Sequence, residues 1–126
     1  MLAVALAMVL QVEPLAGPVD VAPSSPNMVI RPVWIRRPSA FDFARLYPRD
    51  AMSAEAQGQT ATSCSVTDEG ALISCITLSE QPVGLGFAKA SLSLMKKFKM
   101  KSVDLEGQPV AGRSVRIPIR WNLIRN

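Results

Sequence analysis

The pattern that most constrains this chain lies near its end, in residues 114–123, SVRIPIRWNL. Val115, Ile117, Ile119, Trp121 and Leu123 are apolar at every second position, with Ser114, Arg116, Pro118, Arg120 and Asn122 between them. Period-two alternation predicts a strand with one buried and one wet face. Burying such side chains is worth roughly 1.5–3 kcal/mol each before entropy is subtracted, so this strand should pin a core. Pro118 has no N–H to give a ladder, which favours an edge position or a bulge. An edge strand is also where another chain can pair.

With 126 residues the chain holds one domain with tails. Its prolines gather early, at Pro14, Pro18, Pro23, Pro26, Pro32 and Pro38, and suggest an extended lead-in. Residues 1–12, MLAVALAMVLQV, are uncharged and too short for a spanning helix, which needs about 20 apolar residues. They fit the apolar region of a secretory signal, with a small-residue site near Ala16 and Gly17, although no Lys or Arg precedes Arg31. An apolar helix packed on the domain is the other reading. The expected organisation is a leader over 1–17, a Pro-rich spacer and peripheral extended segment over 18–40, and a folded domain over 41–124.

Within the folded part, residues 28–36 read as an extended segment broken at Pro32, and residues 41–46 as a weakly patterned link. Residues 49–57 read as a short helix terminated by Gly58. Residues 59–67 and 71–79 read as two strands of a hairpin around Asp68, Glu69 and Gly70. With Glu69 and Gly70 as the loop, Val66 faces Ile73 and Cys64 faces Cys75. The two sulfurs are then cross-strand neighbours. A bond between them would close a 12-residue span and add at most about 3 kcal/mol. Two small buried thiols would look the same in sequence, and export would tilt the choice to the bond. Residues 87–100 read as one helix with Phe87, Ala90 or Ser91, Leu94 and Phe98 inward and Lys96, Lys97 and Lys99 in its last turns. Residues 103–112 connect it to the final strand. The fold class expected is α+β: a three-stranded antiparallel sheet packed against two helices, with an extended amino-terminal segment.

Composition removes several chemistries. There is no histidine, hence no serine–histidine triad and no imidazole metal ligand. Two cysteines cannot close a four-ligand zinc site. Asp68 and Glu69 are adjacent and do not make an acid–base pair. No catalytic, cofactor-binding or metal-binding residues are expected, and no cofactor. Residues 96–126 carry eight basic and two acidic side chains, so that end suits acidic partners, anionic lipid or nucleic acid, or is simply a solvated face. With Phe98 on the expected core face, base stacking is disfavoured and nucleic acid is not the expected partner.

Taken together, Trp34 and Pro38, Tyr47, Pro48 and Ala51, Gly58, Val66 through Gly70 to Leu72, Gly86, Phe87 and Ala90, Gly107 to Val110, and Ile117, Pro118, Ile119, Trp121 and Leu123 make the chain resemble the carboxy-terminal domain of the TonB family of Gram-negative envelopes. Cys64 and Cys75 with Pro82, Gly86 and Phe87 resemble a subgroup of it. The resemblance implies a periplasmic domain that captures a short extended segment of an outer-membrane TonB-dependent transporter by strand addition beside the last strand. Val115, Arg116, Ile117, Pro118, Ile119, Arg120 and Trp121 are then the partner-binding residues. A full transducer of that family also has a spanning helix and a long spacer. The short apolar start here leads us to expect a chain truncated at its amino end, or a stand-alone secreted module with a structural or assembly role. Whether the strand swaps into a homodimer stays open. Fractionation with thiol labelling checks export: the periplasmic fraction should hold the chain with no free thiol, and a cytoplasmic chain with two free thiols would remove both leader and bond.

Overall fold

The structure, a computed structural model, describes residues 27–123. The apolar leader and the first part of the Pro-rich spacer lie outside the described residues. Among the described residues five strands and three α-helices follow one another: β1 (Trp34–Arg36), α1 (Ala40–Leu46), α2 (Arg49–Ser53), β2 (Gly58–Val66), β3 (Leu72–Gln81), α3 (Phe87–Leu94), β4 (Lys99–Met100) and β5 (Ser114–Trp121). The main sheet is antiparallel in the order β3-β2-β5, and β1 pairs with β4 in a small second ladder. The expected α+β class and three-stranded sheet are therefore present.

β5 behaves as its alternation requires. Val115, Ile117, Ile119 and Trp121 are buried, and Arg116, Pro118 and Arg120 are exposed. Leu123 lies past the strand and is half-buried. The core face of β2 supplies Thr60, Thr62, Cys64 and Val66, and α3 covers both strands with Phe87, Ala90, Ser91 and Leu94, spaced three and four apart. Trp121 has no exposed surface, and its indole N–H donates to Ser91 Oγ at 2.8 Å. Ser91 Oγ also meets Thr60 Oγ1 at 2.7 Å, so one buried hydroxyl satisfies two partners. Phe43, Tyr47 and Phe87 surround the indole, with ring centroids 5.0, 5.6 and 6.2 Å away.

Several boundaries differ from expectation. Residues 41–46 are not a link but part of α1. Ser39 caps it: its hydroxyl accepts from Asp42 N–H, and the Asp42 carboxylate accepts from Ser39 N–H at 2.8 Å. α2 stops at Ser53 rather than running to 57, and Gly58 opens β2 instead of closing a helix. A Cβ on Gly58 would collide with the Phe87 ring, so the glycine serves strand–helix approach. The long helix ends at Leu94 and gives way to a 3₁₀ turn over Met95–Lys97. Phe98 and Met100 are both buried, a period of two that only extended backbone can serve. Lys99 therefore lies in β4, not in a last helical turn.

The hairpin register also departs. Val66 faces Leu72, one residue short of the expected Ile73, because the loop spans three residues. Thr67 and Ala71 close it, and Gly70 adopts φ +86°. Register irregularities then fall between Ala61 and Thr62 and between Ser63 and Ser65. The bulge near Ser74, itself at φ +52°, restores the neighbourhood of Cys64 and Cys75, and the two form a disulfide.

Gly70 lies directly beneath β4, where Met100 N–H donates to its carbonyl at 2.9 Å. A Cβ at this position would overlap the Met100 carbonyl. Gly70→Ala should cost at least about 2 kcal/mol in chemical denaturation, from the positive φ and the overlap together. A change inside about 0.5 kcal/mol would contradict this packing.

Candidate functional site

Successive peptide groups of an antiparallel strand point alternately to one neighbour and to the other side. Among the described strands β5 pairs with β2 alone, with Val115 opposite Cys64, Ile117 opposite Thr62 and Pro118 opposite Ala61. Ser114 fixes the parity. Its N–H donates to Asn27 O at 2.9 Å and its carbonyl accepts from Val29 N–H at 2.7 Å, both on the side away from β2. Arg116, Pro118 and Arg120 share that orientation. The outer edge thus offers N–H groups at Arg116 and Arg120 and carbonyls at all three. Pro118 falls where its missing donor removes no bond to β2.

The seven residues expected to bind a partner are divided by this geometry. Arg116, Pro118 and Arg120 present outward backbone, and their side chains are exposed on the open sheet face. Val115, Ile117, Ile119 and Trp121 turn their side chains into the core and their peptide groups toward β2. They hold the edge in place rather than offering it.

Beside the edge runs a groove of about 540 Å³, walled by Pro32, Trp34, Phe43, Phe98, Arg116 and Pro118. The Trp34 ring lies tilted against Phe98 with centroids 5.0 Å apart, and Phe98 is buried in the fold as expected. Arg37 lies at the rim, and Ile30 is 64% exposed there. Arg37, Arg116 and Arg120 have no ionic partner among the described residues, so the edge is basic. The basic run behind it is partly neutralised, with Lys97 Nζ 3.8 Å from Asp42.

Sequence reasoning missed the group that closes the near end of this edge. Asp104 is nearly buried. One carboxylate oxygen accepts from the N–H groups of Glu106 and Gln108 at 3.0 and 2.9 Å, and the other from Arg113 at 3.0 Å. Arg113 also donates to Pro109 O at 3.1 Å and to Met28 O at 3.0 Å. An aspartate followed by Gly107 in a polar connection was the available signal, but nothing local pointed to Met28, 85 residues earlier.

No helix among the described residues is long and apolar enough to cross a membrane. The family model for the Gram-negative bacterial TonB protein C-terminal matches residues 44–123. The chain belongs to the TonB C-terminal family. The solution structure of the Pseudomonas aeruginosa TonB carboxy-terminal domain superposes with a TM-score of 0.50 at 17% identity, covering 64% of this chain and 79% of that one, a likeness of fold. A Vibrio anguillarum TonB2 structure covers 90% of this chain and 99% of its own at 14% identity and a TM-score of 0.44. An uncharacterized protein of Caulobacter vibrioides is 29% identical over 58 residues, 46% of this chain, and the match spans 58% of that relative's length. TonB C-terminal domains are non-catalytic interaction domains of the Gram-negative envelope.

Hydrogen bonding from Gln108 N–H holds the Asp104 carboxyl below its ordinary value, with Arg113 and Glu106 N–H adding to it against the opposing effect of burial. A carboxylate depressed in the folded state stabilises the fold above its unfolded pKa, and that contribution fades as pH falls through the lower folded value. Wild type should therefore lose stability in acid faster than Asp104→Asn, whose curve should be flatter below about pH 4. Parallel curves in denaturant melts across that range would show that Asp104 is not so held.

Proposed function

We propose that this domain captures an extended segment of an outer-membrane TonB-dependent transporter in the periplasm, by strand addition along the outer edge of β5. The observation that carries the reading is the row of outward peptide groups at Arg116, Pro118 and Arg120, next to an apolar groove and without cover among the described residues. Strand addition takes its affinity from such backbone bonds and its selectivity from flanking pockets. Trp34, Phe43 and Phe98 supply an apolar wall, and Arg37, Arg116 and Arg120 favour a guest with acidic character. Residues 1–17 would serve as an export leader and 18–40 as the spacer leading into a domain over 41–124. The described part of that spacer already packs on the fold, where Val29 is buried and Trp34 meets Phe98. The disulfide between Cys64 and Cys75 suits an oxidising compartment.

A synthetic TonB-box peptide should shift amide resonances along residues 115–123 and leave the outer edge of β3 unmoved. Arg116→Pro removes one outward N–H without touching the β2 ladder, as Pro118 already does. Because it also removes one of the edge cations, it should weaken the peptide by at least about 0.5–1.5 kcal/mol, the worth of one hydrogen bond, with unchanged thermal stability. An intact fold that shows no shift on β5 at saturating peptide would leave a structural or assembly role as the remaining reading.

A further inference from the structure

The outer edge of β5 is not bare along its whole length. Residues 27–29 already lie against its first outward position, running parallel to it with Met28 opposite Ser114. Both bonds of a parallel pair are made, Ser114 N–H to Asn27 O and Val29 N–H to Ser114 O. Val29 is 3% exposed and belongs to the core. Arg113 fastens the same segment from behind, with one guanidinium nitrogen on Met28 O and another shared between Asp104 and Pro109 O. At Ile30 the chain turns away, and Arg31 O and Val33 O bond instead to Leu105 N–H and Lys101 N–H. Continuing in line, the next outward position would have been Arg116, and it is left open.

We infer that residues 27–29 are a built-in stop, which holds Ser114 and so restricts a docked strand to the frame from Arg116 to Arg120. The inference rests on the strand-addition reading and adds what sets the register. A docked segment pairs over five residues of β5, roughly 17 Å at the rise of a strand, and cannot slip toward Ser114. Slippage is the expected failure of an edge with few side-chain constraints, since backbone groups repeat every two residues. A fixed end removes that freedom on the Ser114 side. The stop is held from two sides, by the burial of Val29 and by the Arg113 clamp, so it remains in place when the guest arrives rather than making room for it.

Amide hydrogen exchange on the full chain, read by NMR with and without the synthetic TonB-box peptide, tests this. Without peptide, the Val29 and Ser114 amides should exchange at least about tenfold slower than in an unstructured chain, the protection one retained hydrogen bond confers. With peptide, both should stay protected while Arg116 and Arg120 amides gain protection. Fast exchange at Val29 in the free protein overturns the stop at once. Loss of Val29 protection on adding peptide, with shifts present along β5, shows a displaced latch and overturns the stop while leaving strand addition standing. No peptide-induced change anywhere removes the strand-addition reading and the stop with it. In Val29→Pro, which deletes the donor to Ser114, the peptide footprint should spread to Ser114. Slow exchange at Ile117 in that variant verifies its fold, and a footprint still confined to 116–120 in a folded variant also overturns the proposal.

Discussion

A strand can turn each peptide group to only one side, and β5 assigns every one of its positions by that rule. Val115, Ile117, Ile119 and Trp121 send their side chains into the core and their peptide groups to β2. The positions between them send their side chains to water and their backbone to the open edge. Pro118 belongs to the second set, where its ring costs the sheet nothing. A shift of one residue would reverse every assignment, exposing the indole and placing Pro118 against β2, so sealing the core and offering the edge are one constraint.

An edge binds well only if it is held straight before the partner comes, because ordering it afterwards subtracts from affinity. Both ends of β5 are fixed. At the far end Trp121 is enclosed by Phe43 of α1, by Tyr47 and by Phe87 of α3, and is hydrogen-bonded to Ser91. At the near end Arg113, one residue before the strand, reaches Asp104, Pro109 and Met28. The apolar anchor and the ionic clamp act on opposite ends, so neither depends on the other's geometry.

What could be read beforehand follows from the range of the forces involved. Alternation in β5, the helical spacing of Phe87, Ala90, Ser91 and Leu94, and Gly70 in its turn are local patterns, and each has its counterpart in the fold. The Ser39–Asp42 capping pair is equally local, and α1 is legible in it despite the weak apolar pattern of residues 41–46. Lys96, Lys97 and Lys99 looked like the end of a helix because dipole compensation is a local argument, whereas the chain there obeys Phe98 and Met100 seeking the core. The pairing of Met28 with Ser114 has no local signature. It arises because Arg113 satisfies a carbonyl far away in sequence, and the near limit of the candidate site is set by that contact.

The sheet has two edges, and the difference between them explains why one is suited to a partner. β3 carries Ile73, Ile76 and Leu78 exposed on a strand with no charge between Leu72 and Ser79, a composition that invites pairing. Its ladder with β2, however, slips twice, and Ser74 adopts positive φ beside the disulfide. Each bulge breaks the even spacing of outward groups that an added strand must match, so the apolar edge is protected by its own irregularity. β5 pairs with β2 in unbroken register from Ser114 to Trp121, and its protection is electrostatic instead. Two copies meeting edge to edge would bring Arg116 and Arg120 of one toward those of the other, and like charges across strands oppose the pairing. An acidic segment meets no such opposition. Charge thus disfavours pairing of the regular edge with its own copy, and bulges disfavour any added strand at the irregular one.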